Sequence, residues 1–484
     1  MSFLTSLSLE TQIAARSLAD YVTGNGLRLG VTGLSRAGKT VFITAMIQNL
    51  VRGGRLPVLR VTAENRLTRA VLQPQPDDQV PRFAYEDHLS ALSGTDRHWP
   101  QSTRRISELR LTLEFERAEG WRKGPASLTI DIVDYPGEWL LDLPLLAKSY
   151  TQWSRETLEA SAGASRAALA ASWRGYTLPL DPAAPASEDV ARKAAELFTA
   201  YLRASRADKY ALSTLPPGRF LLPGDMEGSP ALTFAPLNTG EGEPVPGSLG
   251  AMMARRYEAY KTHVVRPFFR DHFARLDRQI VLVDALAALN SGAAAVRDLE
   301  TALADILLAF RAGRVGLLST LFRPRVDRIL FAATKADHLH HTSHDRLEAI
   351  LRHLTARAIA RAEGVGATVD VIALAAMRAT REAQVKHGRD TLDAIVGIPQ
   401  AGEKLDGELF DGLAEAAIFP GELPADPKLV FRGEGLALPE SEAAWRFLRF
   451  RPPLPVLAPD GQMQPLPHIR LDRALQFLLG DKLK

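Results

Sequence analysis

Gly33, Gly38, Lys39 and Thr40 stand at the spacing G-x-x-x-x-G-K-T in the run GVTGLSRAGKTVFITAMI. Leu27 to Val31, just before it, alternate and are rich in apolar types, which predicts a strand. From Lys39 to about Arg52, Val41, Ile43, Met46, Ile47 and Leu50 recur at helical spacing. A strand, a glycine-bearing loop and a helix make a phosphate-binding loop. The N–H groups of Gly33, Ser35, Arg36, Ala37, Gly38, Lys39, Thr40 and Val41 are expected to wrap an anion, helped by the positive end of the helix. Lys39 would reach the β- and γ-phosphates, and the Thr40 hydroxyl would hold Mg²⁺. Arg36 could offset transition-state charge in cis, although pointing outward is its plainer role.

A phosphate-binding loop does not by itself choose a nucleotide. The segments Ser107–Arg117 and Ser127–Gly137 read as a hairpin, and the second ends in Asp134-Tyr135-Pro136-Gly137, a D-x-x-G pattern. Asp134, at a strand end, can reach Mg²⁺ through water, and the Gly137 N–H can approach a γ-phosphate. Glu138 follows, where it could orient an attacking water. Its charge would be repelled by phosphate, so a slow intrinsic rate is expected. Ser102 and Thr103 precede the hairpin where a switch threonine on Mg²⁺ belongs, and Thr103 is the preferred candidate.

The strand RILFAA leads into Thr334-Lys335-Ala336-Asp337, a T-K-x-D pattern followed by His338. A carboxylate at Asp337 can accept from guanine N1–H and the 2-amino group. Adenine offers neither there, so the charge would be left unpaired. The Lys335 stem would lie over the base. The strand TVDVIAL leads into Ala375, Ala376 and Met377, where backbone N–H groups would meet guanine O6. Ala375 replaces the usual hydroxyl residue, so Ala376 is the fair match. His338, His340, His341 and His344 cluster nearby. His340 and His344 have the i,i+4 spacing of a helical metal pair, but incidental histidines in a loop and helix cap are the plainer expectation.

Strands alternating with helices imply right-handed crossovers and an α/β fold with a mainly parallel sheet. The expected divisions are an N-terminal helix, from Leu4 to about Val22, with the first half of the core (1–142), an Ala-rich helical insertion (143–277), the second half of the core (278–380) and a C-terminal extension (381–484) ending in a short helix at Leu471–Leu479. Residues 57–100 read as mixed and partly irregular. Apolar residues are 46% and the net charge is +3, ordinary for a globular chain, and no nucleic-acid signature appears. Local Arg density at Arg104–Arg105 and around Arg446, Arg449 and Arg451 reads as solvated surface. The chain has no cysteine, which excludes disulfides and thiolate metal sites. No secretory pattern opens the chain and no run of about 18 apolar residues occurs, so a cytoplasmic protein, at most peripheral at the inner membrane, is expected.

GLSRAGKT, the WPQST segment, DYPGEWLLDLPLL, TKADH and LAAMRATRE together resemble the YcjX-like family of stress-associated P-loop GTPases. The resemblance covers the chain broadly, including the insertion. It implies a Ras-like GTPase core, a link to stress response and a small membrane-protein partner. The function expected is a Mg²⁺-dependent switch that binds GTP and GDP and hydrolyses GTP. An ATPase, or a nucleotide-stabilised scaffold with negligible turnover, is the alternative. A homo-oligomer is left open.

Overall fold

The computed structural model describes residues 25–484, apart from 35, 76, 102, 119–122, 208–209, 241, 243, 309–325, 365, 388, 406, 433–444 and 446. The expected N-terminal helix, Ser35, Ser102 and Arg446 therefore lie outside the described residues. The chain divides into two compact units.

The first unit is built on a seven-stranded sheet. Its strands are β1 (Gly26–Gly33), β2 (Leu67–Gln73), β3 (Ser107–Arg117), β4 (Gly124–Asp134), β5 (Arg278–Val283), β6 (Arg328–Ala333) and β7 (Thr368–Ala373), in the order β2-β3-β4-β1-β5-β6-β7. From β4 to β7 neighbouring strands are parallel, whereas β3 pairs antiparallel with β4 and β2 with β3. β5 is buried at every position, as expected of a parallel strand covered on both faces. The helix Lys39–Val51 seals one face through Phe42, Ile43, Met46 and Ile47.

Two parts of this unit were not expected. Residues 57–100 contain strand β2 and the helix Tyr85–Ser93. β2 reads LTRAVLQ and is half-exposed on the sheet edge, so its polar residues hide its period. Beyond β7, β8 (Arg381–His387) and β9 (Asp390–Gly397) form a hairpin joined by the short strand Ala416–Ile418.

The end of the chain is part of the core. In the helix Leu471–Leu479, Leu471, Leu475, Leu478 and Leu479 share one apolar cluster with β1 and the helix Lys39–Val51. Gln48 accepts from the Leu466 N–H at 2.8 Å, and the Asn49 amide donates to Leu466 C=O at 3.1 Å. Arg278, on β5, is fully buried. It bonds Asp327 at 3.0 Å, Asp481 at 2.6 Å and the Leu478 carbonyl. These partners answer the cost of removing a guanidinium from water.

The second unit is helical. It runs over Pro136–Arg275 and takes in the segment from Ala287 that carries the helix Ala293–Leu308. The boundaries thus differ from 143–277. The 3₁₀ helix Gly137–Ala147 joins this unit because GEWLLDLPLLA is apolar on nearly every side. Its Trp139 meets Phe268 edge-on with centroids 5.8 Å apart. Its Asp142 accepts from Tyr260 at 2.6 Å and from the Gly218 N–H at 2.7 Å. Around them stack Trp153 on Tyr257 and Trp173 on Tyr201, with centroids 5.1 and 5.3 Å apart. The expected helix Tyr150–Gly175 breaks into Tyr150–Ala162 and Ala167–Thr177, with Gly163 as the first C-cap. No described helix is long and apolar enough to cross a membrane.

Leu475→Ala is expected to lower the unfolding free energy by about 2–5 kcal/mol in urea titrations, because it opens a cavity under β1. Leu413→Ala, at a position 73% exposed, is expected to change it by under about 0.5 kcal/mol. Equal effects would mean that the terminal helix is not part of the core.

Candidate functional site

Parallel pairing brings several strand ends to one edge of the sheet. Val31 pairs with Asp134, Gly33 with Leu282, Val283 with Ala333, and Ala333 with Ala373. The loops that leave β1, β4, β5, β6 and β7 therefore start from the same edge, where ligands bind in open α/β sheets.

The loop after β1 is shaped by backbone that side chains would disturb. Gly33 has φ 148°, and a Cβ there would lie 2.4 Å from the Leu282 carbonyl oxygen. Arg36 and Gly38 have φ of 63° and 84°, and a Cβ on Gly38 would meet nothing within 4 Å. Gly38 caps the helix Lys39–Val51, whose first turn receives no side-chain cap. Its N–H groups are thus available to an anion. Lys39 is buried and folds back, with Nζ 3.1 Å from Gly33 C=O and 3.5 Å from Leu34 C=O. Ala37 is buried under the loop, and Val41 packs half-buried on the core.

The antiparallel ladder of β3 and β4 ends at Ser107 opposite Asp134. The chain entering β3 therefore runs past the end of β4. This brings the Thr103 hydroxyl to 2.7 Å from Asp134 Oδ2 and 3.3 Å from the Thr40 hydroxyl. The other carboxylate oxygen, Oδ1, is buried with no hydrogen-bond partner among the described residues. Burial pushes the Asp134 carboxyl up to about 6, against the opposing pull of the Lys39 charge and the Thr103 hydrogen bond. Two hydroxyls beside one under-satisfied carboxylate fit a hard cation that takes oxygen ligands. The approach to Thr103 is anchored by Trp99, which donates to Phe450 C=O at 2.6 Å, and by Arg97, which donates to Pro452 C=O at 2.8 Å.

After β6 the chain turns through Lys335, at φ 61°. Its ammonium pairs with Asp284, the residue following β5. Asp337 is buried and its Oδ2 accepts from the Ala379 N–H at 2.8 Å. Thr380 donates to the Asp337 carbonyl. The hydroxyl absent at Ala375 is therefore not needed to hold this loop, since residues 379 and 380 supply the donors. His338 is buried with its ring edge-on to Phe450, centroids 5.2 Å apart, and burial lowers its pKa. Beyond β7, the Ala375 N–H bonds Ile469 C=O at 3.1 Å and the Arg378 N–H bonds Pro467 C=O at 2.7 Å. Ala375 is thus removed from the expected set of free amides. The N–H groups of Ala376 and Met377 meet no protein acceptor among the described residues.

Gly137 and Glu138 fall in the helical unit. Glu138 is buried, not exposed, and pairs with Arg206 from the helix end after Glu188–Ser205. Its backbone is held closely as well, since a Cβ on Gly218 would lie 1.7 Å from the Glu138 carbonyl oxygen. His340 and His344 do not form a pair. His344 Nε2 bonds the Ala336 carbonyl at 2.9 Å, while His340 faces Glu382 and Asp393.

Sequence reasoning missed Asp284, Arg206, Ala379 and Thr380. Asp284 carried a signal, an acid ending the strand QIVLVD, but its partner lies 51 residues away. The others act through long-range contacts that no local pattern encodes.

A family model described as "YcjX-like family, DUF463" matches residues 27–483. A protein of Escherichia coli K12 named "Ras-like GTPase YcjX" is 41% identical over 471 residues, covering 95% of this chain and 96% of that protein. A protein of Shewanella oneidensis with the same name is 34% identical over 497 residues, covering 97% of each. With a mainly parallel sheet whose first strand opens into G-x-x-x-x-G-K-T, the fold is a P-loop core of Ras-like type, and the chain belongs to the YcjX-like family.

Proposed function

We propose that this protein binds GTP and GDP with Mg²⁺ and acts as a regulatory switch that hydrolyses GTP slowly. The observation that carries the proposal is the meeting of Thr40, Thr103 and Asp134 beside Lys39, at the sheet edge from which the Asp337 loop also departs. The names of its relatives support the guanine nucleotide.

Lys39 exchanges the carbonyls of Gly33 and Leu34 for the β- and γ-phosphate oxygens, while the amides from Gly33 to Val41 bind the same oxygens. Thr40 and Thr103 would ligate Mg²⁺, and Asp134 would hold it through water. When bound, this ion neutralises charge on the phosphate oxygens. Asp337 reads the guanine edge, Lys335 covers the base, His338 packs beneath the loop, and the amides of Ala376 and Met377 meet O6. The Gly137 N–H senses the γ-phosphate. Glu138 is the water-orienting candidate, and its engagement by Arg206 supports a slow intrinsic rate, since that bond must yield before the carboxylate can act. The stress-related role and a small membrane-protein partner rest on the family resemblance alone.

Lys39→Ala is expected to weaken GTP binding by at least about a hundredfold in equilibrium titrations, the loss of a charge-assisted contact to phosphate. Unchanged affinity would overturn the phosphate site. Asp337→Asn is expected to reverse the base preference toward xanthine nucleotides, because the amide donates to a 2-oxo group where the carboxylate accepted from a 2-amino group. Retained guanine preference would remove Asp337 from the base site.

A pH dependence follows from Asp134. Its carboxyl in the folded protein titrates at about 6, above the ordinary 3.8, so the folded state holds the proton more tightly than the unfolded one. Alone, this group's contribution to stability falls as pH rises from 3.8 through about 6. Cation binding needs the carboxylate. The Mg²⁺ affinity of the GDP complex should therefore rise with pH more steeply than titration of the nucleotide's own terminal phosphate accounts for, and Asp134→Asn should lower that slope. Equal pH slopes in both proteins would exclude Asp134 from the metal site.

A further inference from the structure

Beyond the base loop, the chain builds a second cluster of metal-ligating groups. His340 and His341 follow Asp337 by three and four positions, and Glu382 sits in β8 two residues after Thr380. One ligand atom from each of the three lies within 4.8 Å of the others. His341 Nδ1 is 2.8 Å from Glu382 Oε2, and His340 Nε2 is 3.8 Å from the same oxygen. The two imidazole centroids are 4.3 Å apart. Tetrahedral zinc, with bonds of about 2.1 Å, sets its ligand atoms roughly 3.4 Å from each other, a spacing that these distances straddle.

The surroundings supply what a ligating histidine needs on its other side. His340 Nδ1 is 3.0 Å from the Thr342 hydroxyl and 3.4 Å from Asp393 Oδ2, on β9. A proton at Nδ1 donated to the Thr342 hydroxyl, with the Asp393 carboxylate beside it, leaves the Nε2 lone pair on the Glu382 side. An outer partner on the second ring nitrogen of this kind fixes the tautomer and ring orientation of a ligating histidine. Asp393 is itself oriented, through Oδ1, by the Gln384 amide at 3.4 Å. Arg378 Nη2 is 3.7 Å from Glu382 Oε1, the oxygen that does not face the histidines. His340 is nearly buried, whereas the His341 side chain is 63% exposed, so an ion can enter from solvent.

We propose that His340 Nε2, His341 Nδ1 and Glu382 form a binding site for a zinc-class divalent ion, with Asp393 as the carboxylate behind His340. Imidazole donors select zinc-class ions over Mg²⁺ and Ca²⁺, which separates this site from the all-oxygen set of Thr40, Thr103 and Asp134. The ion clasps two segments that already touch. The Ala379 N–H bonds Asp337 at 2.8 Å and Thr380 bonds the Asp337 carbonyl, so an ion joining His340 and His341 to Glu382 closes a ring around the T-K-x-D loop. The site stands whether or not that loop reads guanine.

The test uses the full chain, stripped with a chelator and free of nucleotide. Zn²⁺ binding is measured by competition with a chromophoric indicator, and melting is followed with and without Zn²⁺. One equivalent is expected to bind with a Kd of about 10 µM or tighter and to raise the melting temperature, as any ligand of the folded state does. His341→Ala and Glu382→Gln, both at surface-accessible positions, are expected to weaken binding at least tenfold and to abolish the thermal shift. His263→Ala, an exposed histidine of the helical unit, should change neither. A wild-type Kd weaker than about 100 µM, or equal affinity in the wild type and both site variants, would overturn the proposal and leave the cluster a hydrogen-bonded His–Glu contact.

Discussion

Strand β1 is buried between β4 and β5, and the candidate phosphate and metal ligands depend on that pairing. Because β1 runs parallel to both neighbours, its loop opens where Asp134 ends β4 and where β5 passes under Gly33. The contact with the Leu282 carbonyl is too close for any side chain at Gly33, so this glycine is a packing requirement as well as a flexible residue. The antiparallel β3–β4 ladder then carries Thr103 back past the same edge. A one-residue slip in that ladder would reverse the faces of β3 relative to β4 and carry Thr103 away from Asp134.

The distant end of the chain holds these loops in place. The segment from Phe450 to Pro452 accepts from Trp99 and Arg97 on the approach to Thr103, and the Phe450 ring lies against His338 beside Asp337. The segment from Pro467 to Ile469 occupies the amides of Ala375 and Arg378. The terminal helix fills the core beneath. The residues from 447 onward thus complete the first unit. The chain leaves this unit for the helical one between Tyr135 and Pro136, inside the D-x-x-G turn.

Much of this was legible in the sequence where chemistry is local. The glycines, Lys39 and Thr40 lie in one run, between a strand that alternates and a helix with apolar residues at helical spacing, so strand, loop and helix can be read directly. Asp134 closes another alternating strand, and the T-K-x-D turn follows the apolar run of β6. Legibility failed where polarity masks the period, as in β2 with its Arg69 and Gln73. In β8 the polar Glu382, Gln384 and Lys386 alternate with Ala383 and Val385, a period too short and too weakly apolar to stand out as a strand. It failed also where a role depends on a remote partner. Nothing near Gln48 announces Leu466, and nothing near Glu138 announces Arg206. The cluster of histidines after Asp337 was visible, but helical spacing suggested His344. The turn at His341–Ser343 sends His344 back to Ala336 and brings His340 and His341 to Glu382 instead.

Competitive equilibrium binding of GTP, GDP and ATP to the purified chain, with and without Mg²⁺, tests the central claim most directly. Guanine nucleotides binding with micromolar or tighter affinity, and ATP at least about a hundredfold weaker, is the predicted result, because adenine offers no donor pair to the buried Asp337 carboxylate, which keeps only its bond from the Ala379 N–H. ATP and GTP binding with comparable affinity would contradict it, and would make the T-K-x-D loop a structural turn beside a phosphate site of another kind.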